Sequence, residues 1–156
     1  MSVKVTTVVK EVPKYSRTTK DILPLLDVWL AGHETRYQRK AKKIFENAGV
    51  DRRYSIMDPE EVFTATSFEE KNAIYKKECI ELAEKTTKSA LKTSDLKPED
   101  IDYIISVSCT GIMIPSIDAY LINRLGMKQD VVRLPVTEMG CVAGVSAFIY
   151  AHNFLK

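Results

Sequence analysis

Two stretches of strand length, residues 101–107 and 131–136, are predominantly apolar, and each is followed by a helix-compatible segment. Strands without a clean in–out alternation are covered on both faces. The intervening segment 115–125 reads as a helix stopped at Gly126, and 142–155 as a further helix. The order strand, helix, strand, helix predicts an α/β layered fold with a mainly parallel sheet and helices on both faces.

The first half is less uniform. Residues 3–12 place Val3, Val5, Val8, Val9 and Val12 among threonines and lysines, a strand pattern that Pro13 ends. Residues 18–30 carry Ile22, Leu25, Leu26, Trp29 and Leu30 at helical spacing, with Pro24 tolerable only near the first turn and Gly32 closing the helix. A second helix over 34–48 bears Arg36, Lys40 and Lys43 on its polar face, with Arg39 and Lys42 nearby. Such a cationic face either meets phosphate or is simply solvated. A short extended piece follows at 51–56. The longest periodic segment, 67–91, aligns Tyr75, Cys79, Leu82, Ala83, Thr86 and Ala90 on one face, and Ser67 with Glu70 forms a capping box. Cys79 on that stripe reads as core.

A net charge of +2 with no basic block gives no reason to expect nucleic acid as a partner. No run approaches the ~18 apolar residues of a membrane span, and the first residues lack the apolar core of a signal peptide. The three cysteines, Cys79, Cys109 and Cys141, are odd in number and widely spaced, so neither a disulfide framework nor a zinc site is indicated. His33 and His152 are too scattered for a metal site, and no metal is expected. A reducing compartment, the cytoplasm, is the expected location.

The chemistry concentrates at residues 137–147, where Cys141 stands between the second apolar run and the last helix. A thiol at a helix N-terminus meets unpaired N–H groups and the positive end of the helix dipole, which favour the nucleophilic thiolate. Gly140 permits the sharp turn this requires. The alternative is that Cys141 is a small core side chain, since free cysteines are commonly buried. Cys109 and Thr110 follow the first apolar run, where an open α/β sheet lines its ligand crevice, although small residues at a turn would look the same. His152 lies eleven residues after Cys141, about 16 Å along a helix, and cannot reach the sulfur. His33 cannot be placed relative to it from sequence.

Four ordered segments carry a family resemblance: Asp51-Arg52-Arg53-Tyr54; Ser108-Cys109-Thr110-Gly111-Ile112-Met113-Ile114-Pro115; Asn123-Arg124-Leu125-Gly126; and Glu138-Met139-Gly140-Cys141-Val142-Ala143-Gly144. Together they resemble the type III polyketide synthases, the chalcone and stilbene synthase family of the thiolase-like fold. The resemblance runs over about residues 1–156. It implies the N-terminal half of a thiolase-like fold, with the C-terminal half beyond this chain, and a homodimer in the full-length protein. It implies that Cys141 accepts an acyl starter from coenzyme A as a thioester. Malonyl-CoA then decarboxylates and its carbanion attacks that thioester. No cofactor is implied beyond coenzyme A thioesters as substrates.

Lys40 and Lys43 match positions that hold the phosphates of coenzyme A. Asn47 stands where plant members carry another basic residue. Cys109 matches a strand-end position that helps shape the starter pocket, with Thr110 a pocket candidate by its place beside it, and Ile114 matches the side chain that crosses the dimer interface. The family's catalytic histidine and asparagine fall beyond residue 156, so the 156-residue piece alone is expected to be inactive. Two other readings stay open: a condensing enzyme related to ketoacyl-carrier-protein synthase III, and a non-catalytic oligomerisation module in which Cys141 only packs.

Overall fold

A computed structural model of the chain describes residues 2–62 and 67–156. The chain divides into two compact units, one formed by Val12–Ser67 and the other by Met1–Glu11 with Phe68–Lys156.

In the first unit, β1 (Tyr15–Thr18) pairs antiparallel with β2 (Arg52–Ser55), bringing Tyr15 opposite Ser55 and Thr18 opposite Arg52. Helix α1 (Thr19–Leu30) starts directly from β1 through a capping box. Thr18 Oγ1 accepts from the Asp21 N–H at 3.2 Å, and the Thr18 N–H donates to the Asp21 carboxylate at 3.0 Å. These Thr18 hydrogen bonds hold the Asp21 carboxyl below its usual pKa. Pro24 lies in the second turn of α1, one turn further in than expected; the helix continues through it. Ile22, Leu26 and Leu30 repeat every four residues and bury one face against Ala41 and Phe45 of α2 (Thr35–Glu46), with Leu30 fully enclosed at 0% exposure. The Arg53 guanidinium sits 3.8 Å from the centre of the Phe45 ring, joining β2 to α2. A short helix, α3 (Pro59–Val62), follows β2.

In the second unit, α4 (Phe68–Ser94) is the longest helix, with Tyr75 and Ile80 buried. A 3-10 turn at Pro98–Asp100 leads into β3 (Tyr103–Ser108), and α5 (Ile117–Leu125) connects it to β4 (Val132–Thr137). These two strands pair in parallel from Tyr103 opposite Val132 to Ser108 opposite Thr137. The last helix, α6 (Ala143–Phe154), completes the alternation.

Even-numbered β3 residues face α5. Ile104 packs with Ile122, Met127 and Val131, and Ser106 donates to Asp118. Odd-numbered ones face α6, where Tyr103 stacks on Phe154 at 4.0 Å between ring centres. Helices therefore cover both faces of the parallel pair, as its apolar runs require. Gly126, with φ +67°, ends α5 in the left-handed conformation, and the Met127 N–H closes back on the Ile122 carbonyl at 3.0 Å.

One expectation needs correction. Residues 3–12 form no strand. Their alternation is real, but a strand needs a neighbouring edge to take its N–H and C=O groups, and no described residue supplies one. Val5 and Val8 are exposed, and Glu11 is tethered to Lys85 of α4 by an ion pair of 2.6 Å. Among the described residues the strands form one parallel pair, which carries the α/β alternation of the second unit, and one antiparallel pair, which belongs to the first. The stripe on α4 faces inward as expected. Cys79, Leu82, Ala83, Thr86 and Ala90 line an apolar cavity of about 570 Å³ together with Ile104, Leu121 and Met127.

Candidate functional site

Cys141 occupies a 3-10 turn, Gly140–Val142, between the end of β4 and the start of α6. Two residues just before it are left-handed, Glu138 at φ +63° and Gly140 at φ +60°. Gly140 adopts this without strain, whereas a glutamate there costs about 1–2 kcal/mol. The double reversal brings the chain out of the sheet and leaves Cys141 exposed. It is not a buried packing residue within this unit.

A concave site of about 410 Å³ opens at the carboxyl ends of β3 and β4. Ser108, Cys109, Thr110 and Ile114 line one side, and Thr137 and Glu138 line the other. The matched register, Ser108 opposite Thr137, makes the two strands finish level, so Cys109 and Glu138 leave the sheet at the same height. Cys109, Thr110 and Ile114 are thus gathered in one place. Cys141 does not line this wall but follows Glu138 by three residues on the adjoining turn. Ile114 points out, 88% exposed. Cys79 lies apart on α4, where burial raises its thiol above the usual pKa. A thiol so placed is the less reactive one.

Lys40 and Lys43 belong to the other unit, exposed on α2 and three residues apart, hence neighbours on the helix surface. Asn47 caps that helix; its side-chain amide donates to the Lys43 carbonyl at 2.6 Å. Lys42 pairs with Asp27 of α1. His33 lies against Trp29 and Tyr37 with tilted rings, at 6.1 and 5.1 Å between ring centres. His152 sits in the last turn of α6, at the opposite end from Cys141.

Two features of the site carry no local sequence signal. The first is a clamp from α4. The Asn72 side chain accepts from the Ile112 N–H at 2.8 Å and donates to the Ile112 carbonyl at 2.9 Å. The Tyr75 hydroxyl is hydrogen-bonded to Ser108, and its ring fills the space beside Gly111. Asn72 and Tyr75 stand three apart on one helix face, a visible pairing whose target, some forty residues on, is not visible in the sequence. The second is a buried carboxylate. Asp118, in the first turn of α5, is 0% exposed, accepts from Ser106 of β3 at 2.8 Å, and pairs with Arg133 of β4 at 2.5 Å. Burial opposes its charge, but hydrogen bonds from Ser116, Ser106 and Arg133 outweigh it and hold the carboxyl below the usual range. This node locks β3, β4 and α5 together beneath the site.

Among the described residues no group of three or more His, Cys, Asp and Glu side chains is arranged to hold a metal ion. Among them, too, no helix is long and apolar enough to cross a membrane.

A parallel strand pair layered between helices, with an exposed cysteine on a strained strand-to-helix turn, defines an α/β protein with a candidate nucleophile at the strand ends. The family model for the N-terminal domain of chalcone and stilbene synthases matches residues 7–155. The chain belongs to this family, the type III polyketide synthases. It is 33% identical over 143 residues to 1,3,6,8-tetrahydroxynaphthalene synthase of Streptomyces griseus, covering 92% of this chain and 38% of that protein. It is 30% identical over 144 residues to phloroglucinol synthase of Pseudomonas fluorescens, covering 92% of this chain and 41% of that one. The crystal structure of the Streptomyces coelicolor tetrahydroxynaphthalene synthase, a bacterial type III polyketide synthase, superposes with a TM-score of 0.83 at 33% identity, over 92% of this chain and 41% of that one. CsyB in complex with CoA-SH superposes with a TM-score of 0.78 at 27% identity, over 92% and 39%. The chain thus spans about two fifths of the length of these relatives.

Proposed function

We infer that this chain is the N-terminal, thiolase-like part of a type III polyketide synthase that condenses an acyl-CoA starter with malonyl-CoA, and that Cys141 carries the growing acyl chain. The observation that carries this reading is the exposed Cys141 on its left-handed turn, next to the concave strand-end site of Cys109, Thr110 and Ile114.

The chemistry follows from the position. The Cys141 thiolate attacks the thioester carbonyl of the starter. A new C–S bond forms, the bond to coenzyme A breaks, and coenzyme A leaves as its thiolate. Malonyl-CoA loses carbon dioxide, and the electron pair left on its α-carbon attacks the acyl carbonyl on Cys141. A carbon–carbon bond forms and the Cys141 sulfur is released for another round. Cys109 and Thr110 shape the starter side of the cavity. His152 is a helix-length from the sulfur; the base and oxyanion donors are those that the family resemblance places in its C-terminal half. Ile114, projecting into solvent, is the contact to the second subunit of a homodimer. Three unpaired thiols suit the reducing cytoplasm.

Lys40 and Lys43 hold the phosphates of coenzyme A. Replacing both with alanine is expected to raise KM for acyl-CoA by roughly three- to tenfold, with kcat nearly unchanged and a weaker dependence of KM on salt, because exposed cations contribute uniform binding. Steady-state kinetics at two ionic strengths check this. The reading as a whole is tested by incubating the full-length protein with labelled acyl-CoA and malonyl-CoA. Polyketide product, with acyl label on the peptide containing Cys141, supports it; absence of both removes it.

A further inference from the structure

We propose that Asn72 and Tyr75 of α4 are positioning residues that mould the 108–114 loop, and through it set which acyl groups the cavity wall accepts. The inference rests on the functional reading above and adds the origin of starter selection.

The loop carries Cys109, Thr110 and Ile114, yet has no secondary structure of its own to hold its course. Three contacts from one helix face supply that. Asn72 satisfies both backbone groups of Ile112, at 2.8 and 2.9 Å, as a paired strand would. Tyr75 is hydrogen-bonded to Ser108, where the loop leaves β3. Between them, Gly111 lies so close to the helix that an added methyl would stand 2.2 Å from Tyr75 Cδ1 and 2.8 Å from Asn72 Oδ1. Tyr75 is itself buried, so its ring has little freedom to withdraw. The wall on which Cys109 and Thr110 sit is therefore cast against α4. Neither Asn72 nor Tyr75 lines the cavity, so they act through the loop rather than on the substrate.

The test uses the full-length protein. In Asn72→Ala, the Ile112 amide is expected to exchange with deuterium roughly tenfold faster, and Cys109 to change its alkylation rate with iodoacetamide severalfold, while Cys141 does not. Asn72→Asp keeps an acceptor for the Ile112 N–H and is expected to retain most of the protection. The ratio of Cys141 acylation rates by acetyl-CoA and by a long-chain fatty acyl-CoA is expected to shift at least fivefold in Asn72→Ala. Tyr75→Phe, which keeps the ring in place and loses only the hydroxyl, is expected to shift it in the same direction and covers the case in which Asn72→Ala does not fold. Gly111→Ala, which pushes on the same contact from the loop side, is expected to do likewise. Unchanged Ile112 protection, or acylation with an unchanged ratio in the folded variants, overturns the proposal. Absence of acyl transfer in the unaltered protein defeats the functional reading instead.

Discussion

Cys141→Ala in the full-length protein is expected to abolish acyl transfer from coenzyme A, lowering product formation about a thousandfold or more. Alanine is smaller than cysteine and the position is exposed, so the fold should tolerate the change. The result then speaks to chemistry rather than to folding, and an unaltered melting temperature checks that. The other cysteines provide internal controls. Cys79→Ala should leave turnover within a few fold, because its thiol is half-buried on α4 and its pKa is raised by that burial. Cys109→Ala should alter the choice of starter more than the rate, because Cys109 lines the cavity without being on the α6 turn. Iodoacetamide should inactivate in step with modification of Cys141, and acyl-CoA should protect. Full turnover by Cys141→Ala would remove Cys141 as nucleophile and favour a packing role for the turn.

Arg133→Ala is expected to destabilise the protein by about 3 kcal/mol, since it leaves the enclosed Asp118 carboxylate with serine hydroxyls and a backbone N–H but no opposite charge. Arg133 itself is partly exposed and can be rehydrated when unpaired, so Asp118→Asn, which keeps hydrogen-bonding capacity while removing the charge, should cost less. Urea unfolding at neutral pH distinguishes them by midpoint at constant slope. The pH dependence is set by the direction of the shift. The folded-state pKa of Asp118 lies below its unfolded value, so the node contributes its full stability above about pH 4, the ordinary aspartate range. That contribution drains away as pH falls through the lower folded value. Removing Arg133 removes one of the partners that lower the pKa, so the acid limb of the stability profile should flatten in that variant. An acid limb as steep as that of the unaltered protein would mean that Arg133 has little hold on the carboxylate.

The parts of the fold legible in the sequence share a physical trait: their signals are local. The apolar runs that form β3 and β4, the Gly126 stop after α5 and the Thr18 start of α1 each declare themselves within a few residues. Failures arise where a partner decides. Residues 3–12 alternate like a strand yet find no edge among the described residues, while β1, spelled by the polar Tyr15, Ser16, Arg17 and Thr18, exists because β2 pairs with it. The placement of Cys109 and Thr110 beside a strand-end concavity is legible because strand ends in an α/β sheet face the crevice, and that of Cys141 on a turn because Gly140 stands between an apolar run and a helix. The clamp by Asn72 and the node at Asp118 are not, because each joins side chains from distant parts of the sequence.

The level finish of β3 and β4 has a consequence for how such a site can diversify. Pairing from Tyr103 opposite Val132 to Ser108 opposite Thr137 fixes both which side chains face each helix and where the chain departs. A single residue inserted within either strand would invert the facing of every later position in that strand and throw the two exits out of phase. Insertions beyond Ser108 meet no such constraint from the ladder. The sheet therefore works as a fixed frame, and variation in loop length, whether by descent or in a designed library, belongs beyond the Gly111 and Ile112 contacts to α4, at 113–115, rather than in the strands beneath.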